Sequence, residues 1–235
     1  MFTKSEAFYD AIYSWKKYER EAAQVHDIIK SRKRSDGNAL LDVACGTGGH
    51  ITHLRGEFAV EGLDLDPKML EIARMRHPGI PFHHGDMVDF DLGRPFDVVI
   101  CLFSSIAYVK TAARLRQAIA TMARHLCPGG VLVVEPYFSP TTWKQERMPG
   151  ANQAEQPDLK LVRMMVSSLE GTVAKFDLHY LVGTPAGVEY FTERHELGLF
   201  TVEEYRAAFA AAELDVVHDA HGLIGRGLYI GARSI

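Results

Sequence analysis

An acidic residue and a glycine-rich turn follow the first buried strand that the sequence predicts. Asp42 precedes Gly46 and Gly48 in the run Leu41-Asp42-Val43-Ala44-Cys45-Gly46-Thr47-Gly48. Glycines adopt backbone angles closed to other residues, and the N–H groups of a helix that starts after them face the same ligand. Asp64 ends the next predicted strand, where doubly wound folds place a carboxylate on ribose hydroxyls. This spacing predicts a nucleoside-binding loop.

The loop differs from that of dinucleotide enzymes in spacing and in charge. Their G-x-G-x-x-G pattern needs a third glycine, where this sequence has Ile51. Asp42 would repel a diphosphate, whereas it attracts a ligand with an ammonium or another positive charge, since hydrogen bonds to ionised groups are the stronger ones. A nicotinamide-dependent oxidoreductase therefore ranks low among the functions that the sequence indicates.

Three segments together resemble the Rossmann-like (class I) S-adenosylmethionine-dependent methyltransferases: residues 41–48, Gly62-Leu63-Asp64-Leu65-Asp66-Pro67-Lys68-Met69-Leu70, and Gly85-Asp86-Met87. The resemblance implies S-adenosylmethionine as cofactor and S-adenosylhomocysteine as product. It also implies that Asp64 holds the ribose and that Asp86 and Met87 contact the adenine. The cofactor contacts that we expect are Tyr18, Asp42, Ala44, Gly46, Gly48, Asp64, Leu65, Asp86, Met87 and Leu102.

A narrower resemblance runs along almost the whole chain. The segments Tyr9-Asp10, Lys17-Tyr18, His84-Gly85-Asp86-Met87, Phe103-Ser104-Ser105-Ile106, Glu135-Pro136 and Gly225-Arg226-Gly227-Leu228 are similar to the N,N-dimethyltransferases of TDP-linked 3-amino-deoxysugars of the desosamine and mycaminose type. This implies one or two successive methyl transfers to the amino group of a nucleotide-linked amino sugar. The implied acceptor contacts are Tyr9, Tyr13, Ser105, Tyr108, Glu135, Tyr137, Phe138, Ser167 and Arg226, the last of which would pair with the diphosphate.

Two segments depart from the family pattern. Where the family commonly has Glu-Pro-Trp-Trp-Phe-Pro, this chain has Glu135-Pro136-Tyr137-Phe138-Ser139-Pro140, and where it has Gly-Lys-Asp-Tyr, this chain has Trp15-Lys16-Lys17-Tyr18. Other amine, hydroxyl or carbon acceptors therefore stay open, as does a non-catalytic protein that binds S-adenosylmethionine.

Methyl transfer from a sulfonium is an in-line displacement that positioning alone can largely promote. An amine acceptor must arrive uncharged, because a protonated nitrogen has no lone pair to attack with. Tyr13, Tyr108 and His179 are the candidates for positioning or proton acceptance. None of the eleven histidines has a companion carboxylate or cysteine at metal-ligand spacing, so we predict no metal.

The composition bounds the class of protein. The chain has 235 residues, 47% of them hydrophobic and 24% charged, with a net charge of −4, so no basic field gathers nucleic acid or anionic lipid. The three cysteines do not have the spacing of a disulfide framework, which indicates reduced thiols and a cytoplasmic location. No apolar run approaches the ~18 residues of a membrane span. The pattern indicates a small-molecule acceptor.

Alternating strands and helices predict a single α/β domain with a doubly wound, mostly parallel sheet of seven strands. Residues 1–36 form a helical lid, 37–138 the cofactor-binding core, and 201–235 a helix and two strands that complete the sheet. The intervening residues 139–200 comprise a polar stretch to 158 and three alternating segments, 161–169, 172–182 and 188–199, which predict an antiparallel meander. We expect this insertion to bind the acceptor and to offer strand edges for a homodimer.

Overall fold

The computed structural model describes residues 4–145, 148 and 150–235. Its strands are β1 (Ala39–Val43), β2 (Ala59–Asp64), β3 (Phe82–His84), β4 (Phe96–Cys101), β5 (Leu126–Val134), β6 (Gly150–Gln156), β7 (Leu159–Glu170), β8 (Val173–Thr184), β9 (Gly187–Gly198), β10 (Leu214–Asp219) and β11 (Leu228–Arg233). Its α-helices are α1 (Tyr9–Ile12), α2 (Tyr18–Arg32), α3 (Ile51–Leu54), α4 (Pro67–Arg76), α5 (Ala112–Arg124) and α6 (Val202–Ala211).

The main sheet confirms the predicted seven-stranded α/β fold. Its strand order is β10-β11-β5-β4-β1-β2-β3, with β1 to β5 parallel and β11 antiparallel to both of its neighbours. The chain runs outward from β1 to β3 and then returns to β4 on the other side of β1. Ligands bind open α/β sheets at such a switch point, outside the carboxyl ends of the strands.

Helices cover both faces of this sheet. All six residues of β4 are buried, as expected of a strand covered on both faces. One core joins the sheet to α5 and α6, and the other joins it to α2, α3 and α4. Two of the helices begin at capping residues: Asp66 accepts hydrogen bonds from the amides of Lys68 and Met69, and Thr201 forms a capping box with Glu204.

A second, antiparallel sheet has the order β6-β7-β8-β9 and so contains four strands, where the sequence predicted three. The additional strand, β6, lies in the stretch that was predicted to be polar and irregular. None of its residues is fully buried and its sequence, GANQAEQ, lacks β-branched residues, so only its pairing with β7 makes it a strand. Residues 146, 147 and 149 of that stretch lie outside the described part of the chain.

The N-terminal segment packs against the inner face of the antiparallel sheet. A 3-10 turn at Ser5–Phe8 leads into α1, and Phe8 and Ile12 join a core made with Phe176, Tyr180 and other inward residues of the sheet. The predicted lid is therefore held between the second sheet and the carboxyl ends of β1 and β4. This arrangement brings Tyr9 and Tyr13 to the switch point.

Candidate active site

The glycine-rich loop after β1 turns through a series of left-handed residues. Ala44, Gly46 and Gly48 have φ of 58°, 55° and 77°. A Cβ at Gly48 would lie 2.8 Å from the ring of His77, so this glycine is needed for packing behind the loop. At Gly46 nothing lies within 4 Å of such a Cβ, which leaves the front of the loop open for close approach of a ligand.

Two carboxylates flank the loop. Asp42 is 2% exposed, and its Oδ2 has no hydrogen-bond partner among the described residues. Burial, together with the nearby charge of Asp64, raises the pKa of Asp42 to about 8. Asp64 accepts hydrogen bonds from the amides of Gly46 (2.7 Å) and Asp66 (2.9 Å), and burial raises its pKa too. Each Asp64 oxygen keeps lone pairs for a further donor.

A cavity of about 520 Å³ opens between β2, β3 and the 3-10 turn Ser105–Val109 after β4. Its lining includes Ala44, Gly46, Asp64, Leu65, Asp86 and Met87, together with Tyr9, Ser105 and Tyr108. A volume of this size fits a ligand as large as a nucleoside. A second, small cavity of about 30 Å³ adjoins it and is lined by Tyr18, Asp42 and Leu102. The structure thus brings nine of the ten expected cofactor contacts together, and Gly48 shapes the loop behind them.

The end of the cavity at Asp86 contains a residue that the sequence did not indicate. Asp86 accepts a hydrogen bond from the amide of Val88, and its other oxygen pairs with the Arg114 guanidinium at 2.9 Å. Arg114 lies in the first turn of α5, thirteen residues beyond the end of β4 in a helix with no family motif, so no sequence signal identified it. The pair fixes the orientation of the Asp86 carboxylate.

The lid is tied to the glycine-rich loop at two places. Thr47 donates a hydrogen bond to Asp10 at 2.9 Å, and Arg76 bridges the same two residues. At the second place, the buried Lys16 ammonium pairs with Glu21, which also contacts Nε2 of His50 at 2.9 Å. Tyr18 covers the loop so closely that a Cβ at Gly49 would lie 2.6 Å from its ring. Lid and cofactor loop therefore form one packed unit.

Aromatic rings line the part of the site next to the lid, around Tyr9, Tyr13 and Phe103. We call this part the acceptor side, because the sequence predicts acceptor contacts there. The ring centroid of Tyr13 lies 4.7 Å from that of Tyr9 and 5.2 Å from that of Phe103, and Lys16 Nζ lies 4.0 Å from the Phe103 ring. Glu135, fully buried after β5, accepts a hydrogen bond from the Phe103 amide, and burial raises its pKa. These contacts hold the segment after β4 against the lid.

Two arginines border this acceptor side without a carboxylate partner among the described residues. Arg163, on the inner face of β7 and 7% exposed, donates to the Tyr13 hydroxyl at 3.0 Å and to Asn152. Arg226 donates to Ser104 Oγ at 2.9 Å and lies over the rings of Tyr137 and Phe138. The sequence indicated Arg226 but not Arg163. The one signal that could have identified Arg163 is the presence of a charged residue among the apolar inward residues of β7.

The side chain of Tyr108 joins the cavity to the second sheet. Its hydroxyl is 2.5 Å from Nδ1 of His195, on β9, and the imidazole Nε2 is 3.7 Å from the Glu193 carboxylate. Glu193 in turn accepts hydrogen bonds from the Ser5 hydroxyl and from the amides of Lys4 and Ser5. His195 and Glu193 are buried, and the sequence indicated neither of them.

The structure corrects the placement of His179 and leaves Ser167 on the inner face. Phe176, Leu178 and Tyr180 of β8 point into the core, so His179 points to the opposite face, where its Nδ1 lies 2.6 Å from the Tyr190 hydroxyl. His179 therefore lies outside the acceptor side. Ser167 is buried opposite Phe176 in register, and its hydroxyl has no hydrogen-bond partner among the described residues.

Comparison with known proteins identifies this architecture. The family model described as "Methyltransferase domain" matches residues 40–130. The chain is 42% identical over 229 residues to the dTDP-4-amino-2,3,4,6-tetradeoxy-D-glucose N,N-dimethyltransferase of Saccharopolyspora spinosa, covering 96% of this chain and 91% of that protein. It is 41% identical to the dTDP-3-amino-3,4,6-trideoxy-alpha-D-glucopyranose N,N-dimethyltransferase of Streptomyces venezuelae, covering 95% of both. The chain belongs to the S-adenosylmethionine-dependent methyltransferases.

Solved structures agree with this assignment over the full length of the methyltransferase. DesVI of Streptomyces venezuelae superimposes with a TM-score of 0.92 at 39% identity, covering 100% of both chains. CalS10, an amino pentose methyltransferase of Micromonospora echinaspora solved with bound S-adenosylmethionine, gives a TM-score of 0.86 at 41% identity, covering 100% of this chain and 98% of that one. The unpartnered Asp42 oxygen and the open face of Gly46 fit this cofactor, whose amino-acid end carries an ammonium.

Two further features concern the methyltransferase as a whole. No group of three or more histidine, cysteine, aspartate or glutamate side chains among residues 4–145, 148 and 150–235 is arranged to hold a metal ion. In the same part of the chain, no helix has the length and apolar character required to cross a bilayer.

Proposed function

We propose that this methyltransferase transfers methyl groups from S-adenosylmethionine to the amino nitrogen of a dTDP-linked amino-deoxysugar, in two successive steps. The observation that carries the proposal is the full-length identity of 41–43% with dimethyltransferases of three such sugars. Arg226 and Arg163 support it, because neither guanidinium group has a carboxylate partner among the described residues and a diphosphate would supply an anionic one.

Within this proposal the two halves of the molecule have separate tasks. Residues 37–138 hold the cofactor, which supplies the methyl group: Asp42 pairs with its ammonium, Asp64 with the ribose hydroxyls, and Asp86 with the adenine. Residues 1–36 and 139–200 enclose the acceptor. Tyr9 and Ser105 at the cavity, with Tyr13 packed on Tyr9, line the sugar. Glu135 and Ser167 lie behind the segments that position it, and Ser105 and Glu135 are contributed by the cofactor-binding half.

The experiment is incubation of the enzyme with S-adenosylmethionine and a panel of dTDP-3-amino and dTDP-4-amino sugars, other amines and phenols, with products identified by mass. We expect monomethylated and then dimethylated amino sugar. Labelling of phenols alone would contradict the amine assignment.

Arg226→Ala tests the diphosphate contact, with the exposed Arg206→Ala as matched control. The first substitution should weaken binding of the sugar nucleotide about tenfold to a hundredfold, the range of a charged hydrogen bond, with cofactor affinity unchanged. Equal loss of both affinities would show that Arg226 has another role.

We further propose that two copies of the chain associate through the outer face of the antiparallel sheet. Side chains that are cross-strand neighbours there are apolar and exposed, with Leu181 50% and Tyr190 60% exposed. The exposed apolar members of this face are Met164, Val166, Leu181, Val188 and Tyr190. Exposed apolar surface of this kind marks interaction sites.

Light scattering coupled to gel filtration tests the association. Leu181→Glu should convert dimer to monomer without loss of circular dichroism, whereas Ser168→Glu, at the polar end of the same face, should not. A monomeric wild-type protein would rule the association out.

The three free cysteines and the small-molecule acceptor support a cytoplasmic location for the enzyme. CalS10 is involved in calicheamicin biosynthesis, and the similarity to it supports a role in antibiotic biosynthesis.

A further inference from the structure

Dimethylation places a demand on the site that a single methyl transfer does not. After the first transfer the acceptor nitrogen is a secondary ammonium, which has no lone pair. One N–H bond must break before the nitrogen can attack again, so the site needs a route for a proton. This reasoning depends on the proposed function, because only an amine acceptor has this requirement.

The Tyr108 side chain lines the cavity, and its hydroxyl contacts the first of a chain of buried polar groups. Its hydroxyl lies 2.5 Å from His195 Nδ1, and a neutral imidazole can only accept there if its proton is on Nε2. The Glu193 carboxylate, 3.7 Å from Nε2, favours that tautomer, as a carboxylate does in hydrolase triads. Tyr108 then donates to His195, and the lone pairs of its oxygen are free to face the acceptor.

The surroundings of His195 keep its imidazole neutral and place a carboxylate beside it for the imidazolium that forms when it takes up a proton. Burial lowers the pKa of His195 and Glu193 opposes this effect, so the imidazole is neutral near pH 7. Among the described residues, the titratable or charged groups that act on it are Tyr108 from the 3-10 turn, Glu193 on its own strand and Arg163 from β7, whereas its neighbour in register on β8 is Phe176. The carboxylate of Glu193 is oriented by Ser5 and stabilises an imidazolium.

We propose that Tyr108, His195 and Glu193 form a relay that removes the proton between the two methylations. The N–H bond of the secondary ammonium breaks and its proton goes to the Tyr108 oxygen, while the Tyr108 hydroxyl proton goes to His195 Nδ1. The nitrogen regains its lone pair, the imidazolium faces Glu193, and the proton passes to bulk water after product release. Tyr108 touches the acceptor, and His195 and Glu193 position and support it.

The test compares wild-type enzyme with Tyr108→Phe and His195→Gln over a range of pH, measuring the ratio of monomethylated to dimethylated sugar. Glutamine still accepts a hydrogen bond from Tyr108 but takes up no proton. We expect both variants to slow the second transfer about a hundredfold near pH 7, the lower end of general-base effects, and to accumulate monomethylated product. Above the pKa of the secondary ammonium, the dimethylated product should return.

Rescue by high pH separates the relay from a structural role, because a misplaced Tyr108 would slow the reaction at every pH. His26→Gln, on the partly exposed surface of α2, is the matched control and should keep the wild-type ratio. A wild-type ratio in both variants, or a loss that does not change with pH, would overturn the relay.

Nitrogen-15 spectra of the imidazole groups test the relay without any substrate. We expect His195 to carry its proton on Nε2 in the wild type, and its Nδ1 signal to shift in Tyr108→Phe. A proton on Nδ1 would overturn the relay whatever the acceptor is. Absence of any methylated amino sugar with wild-type enzyme would instead contradict the proposed function.

Discussion

The cofactor side and the acceptor side of this methyltransferase are built by different kinds of strand. On the cofactor side, Asp42 lies at the end of a short parallel strand, Asp64 ends the next one, and Asp86 follows the third. On the acceptor side, Arg163 and His195 lie inside long antiparallel strands, and the residues next to them face the other way. A functional residue at the end of a strand is placed by its position along the chain. A functional residue within a strand is placed by the face of the sheet on which its side chain lies.

The largest effect on binding that we expect from a single substitution is on the cofactor side. Asp42→Asn keeps the shape of the side chain but removes the charge that pairs with the cofactor ammonium. Cofactor affinity should fall on the order of a hundredfold, the upper range for a hydrogen bond to a charged group, and affinity for the sugar nucleotide should hold. Calorimetric titration with S-adenosylhomocysteine and with the sugar nucleotide measures both.

Thermal unfolding of the same variant is the control. Because the free enzyme buries the Asp42 carboxyl, its replacement by an amide should not lower the melting temperature. Asp89→Asn, which removes an exposed carboxylate elsewhere in the chain, should change neither affinity nor stability. Parallel loss of sugar-nucleotide binding in Asp42→Asn would mean that the two sides are not separate.

The same contrast explains how much of the molecule could be predicted from its sequence. The mostly parallel sheet and the grouping of nine expected cofactor contacts around the two cavities follow from local signals, since a strand, a turn and an acidic residue are adjacent in the chain. Arg114 could not be identified, because only the packing of α5 brings it to Asp86. The strand β6 was hidden by its polar sequence, and only its pairing with β7 defines it.

On the acceptor side the meander was predictable, but the inward residues were not. His179 was a candidate from the sequence and His195 was not, although each imidazole has a tyrosine hydroxyl within hydrogen-bond distance of its Nδ1. His179 lies between the apolar Leu178 and Tyr180, and His195 lies between the charged Arg194 and Glu196. Periodicity alone does not say which face of the sheet meets the lid. The ion pair of Lys16 with Glu21 was equally hidden, since it needs the fold of the lid.

Arg163 and Met164 are adjacent in β7 and test the two faces directly. Arg163→Leu removes the hydrogen bonds to Tyr13 and Asn152 and should weaken sugar-nucleotide binding about tenfold to a hundredfold, with cofactor affinity unchanged. Met164→Leu, on the outer face, should leave both affinities as they are. The measurement is calorimetric titration of each variant, and an effect of Met164→Leu as large as that of Arg163→Leu would refute the division between the faces.

The pH dependence of cofactor binding sharpens the description of the cofactor side. With a pKa of about 8, Asp42 is protonated at lower pH in the free enzyme and must lose its proton to pair with an ammonium. Cofactor affinity should therefore rise with pH by up to about tenfold per unit and level off above that pKa. Calorimetry in buffers of different ionisation enthalpy should show release of about one proton below it. Asp42→Asn should abolish the release, and a wild-type affinity independent of pH would place the titration elsewhere.

The smallest expected effect is that of His179→Gln. The side chain faces away from the lid and pairs with Tyr190, so its loss should leave the rate of each methyl transfer within about twofold, the size of a surface effect. His195→Gln makes the same substitution on the inner face of the same sheet. Single-turnover measurements of both transfers compare the two variants. If His179→Gln slowed the second transfer as much as His195→Gln, the change would have to act through the sheet as a whole, and the face that a residue occupies would no longer decide its role.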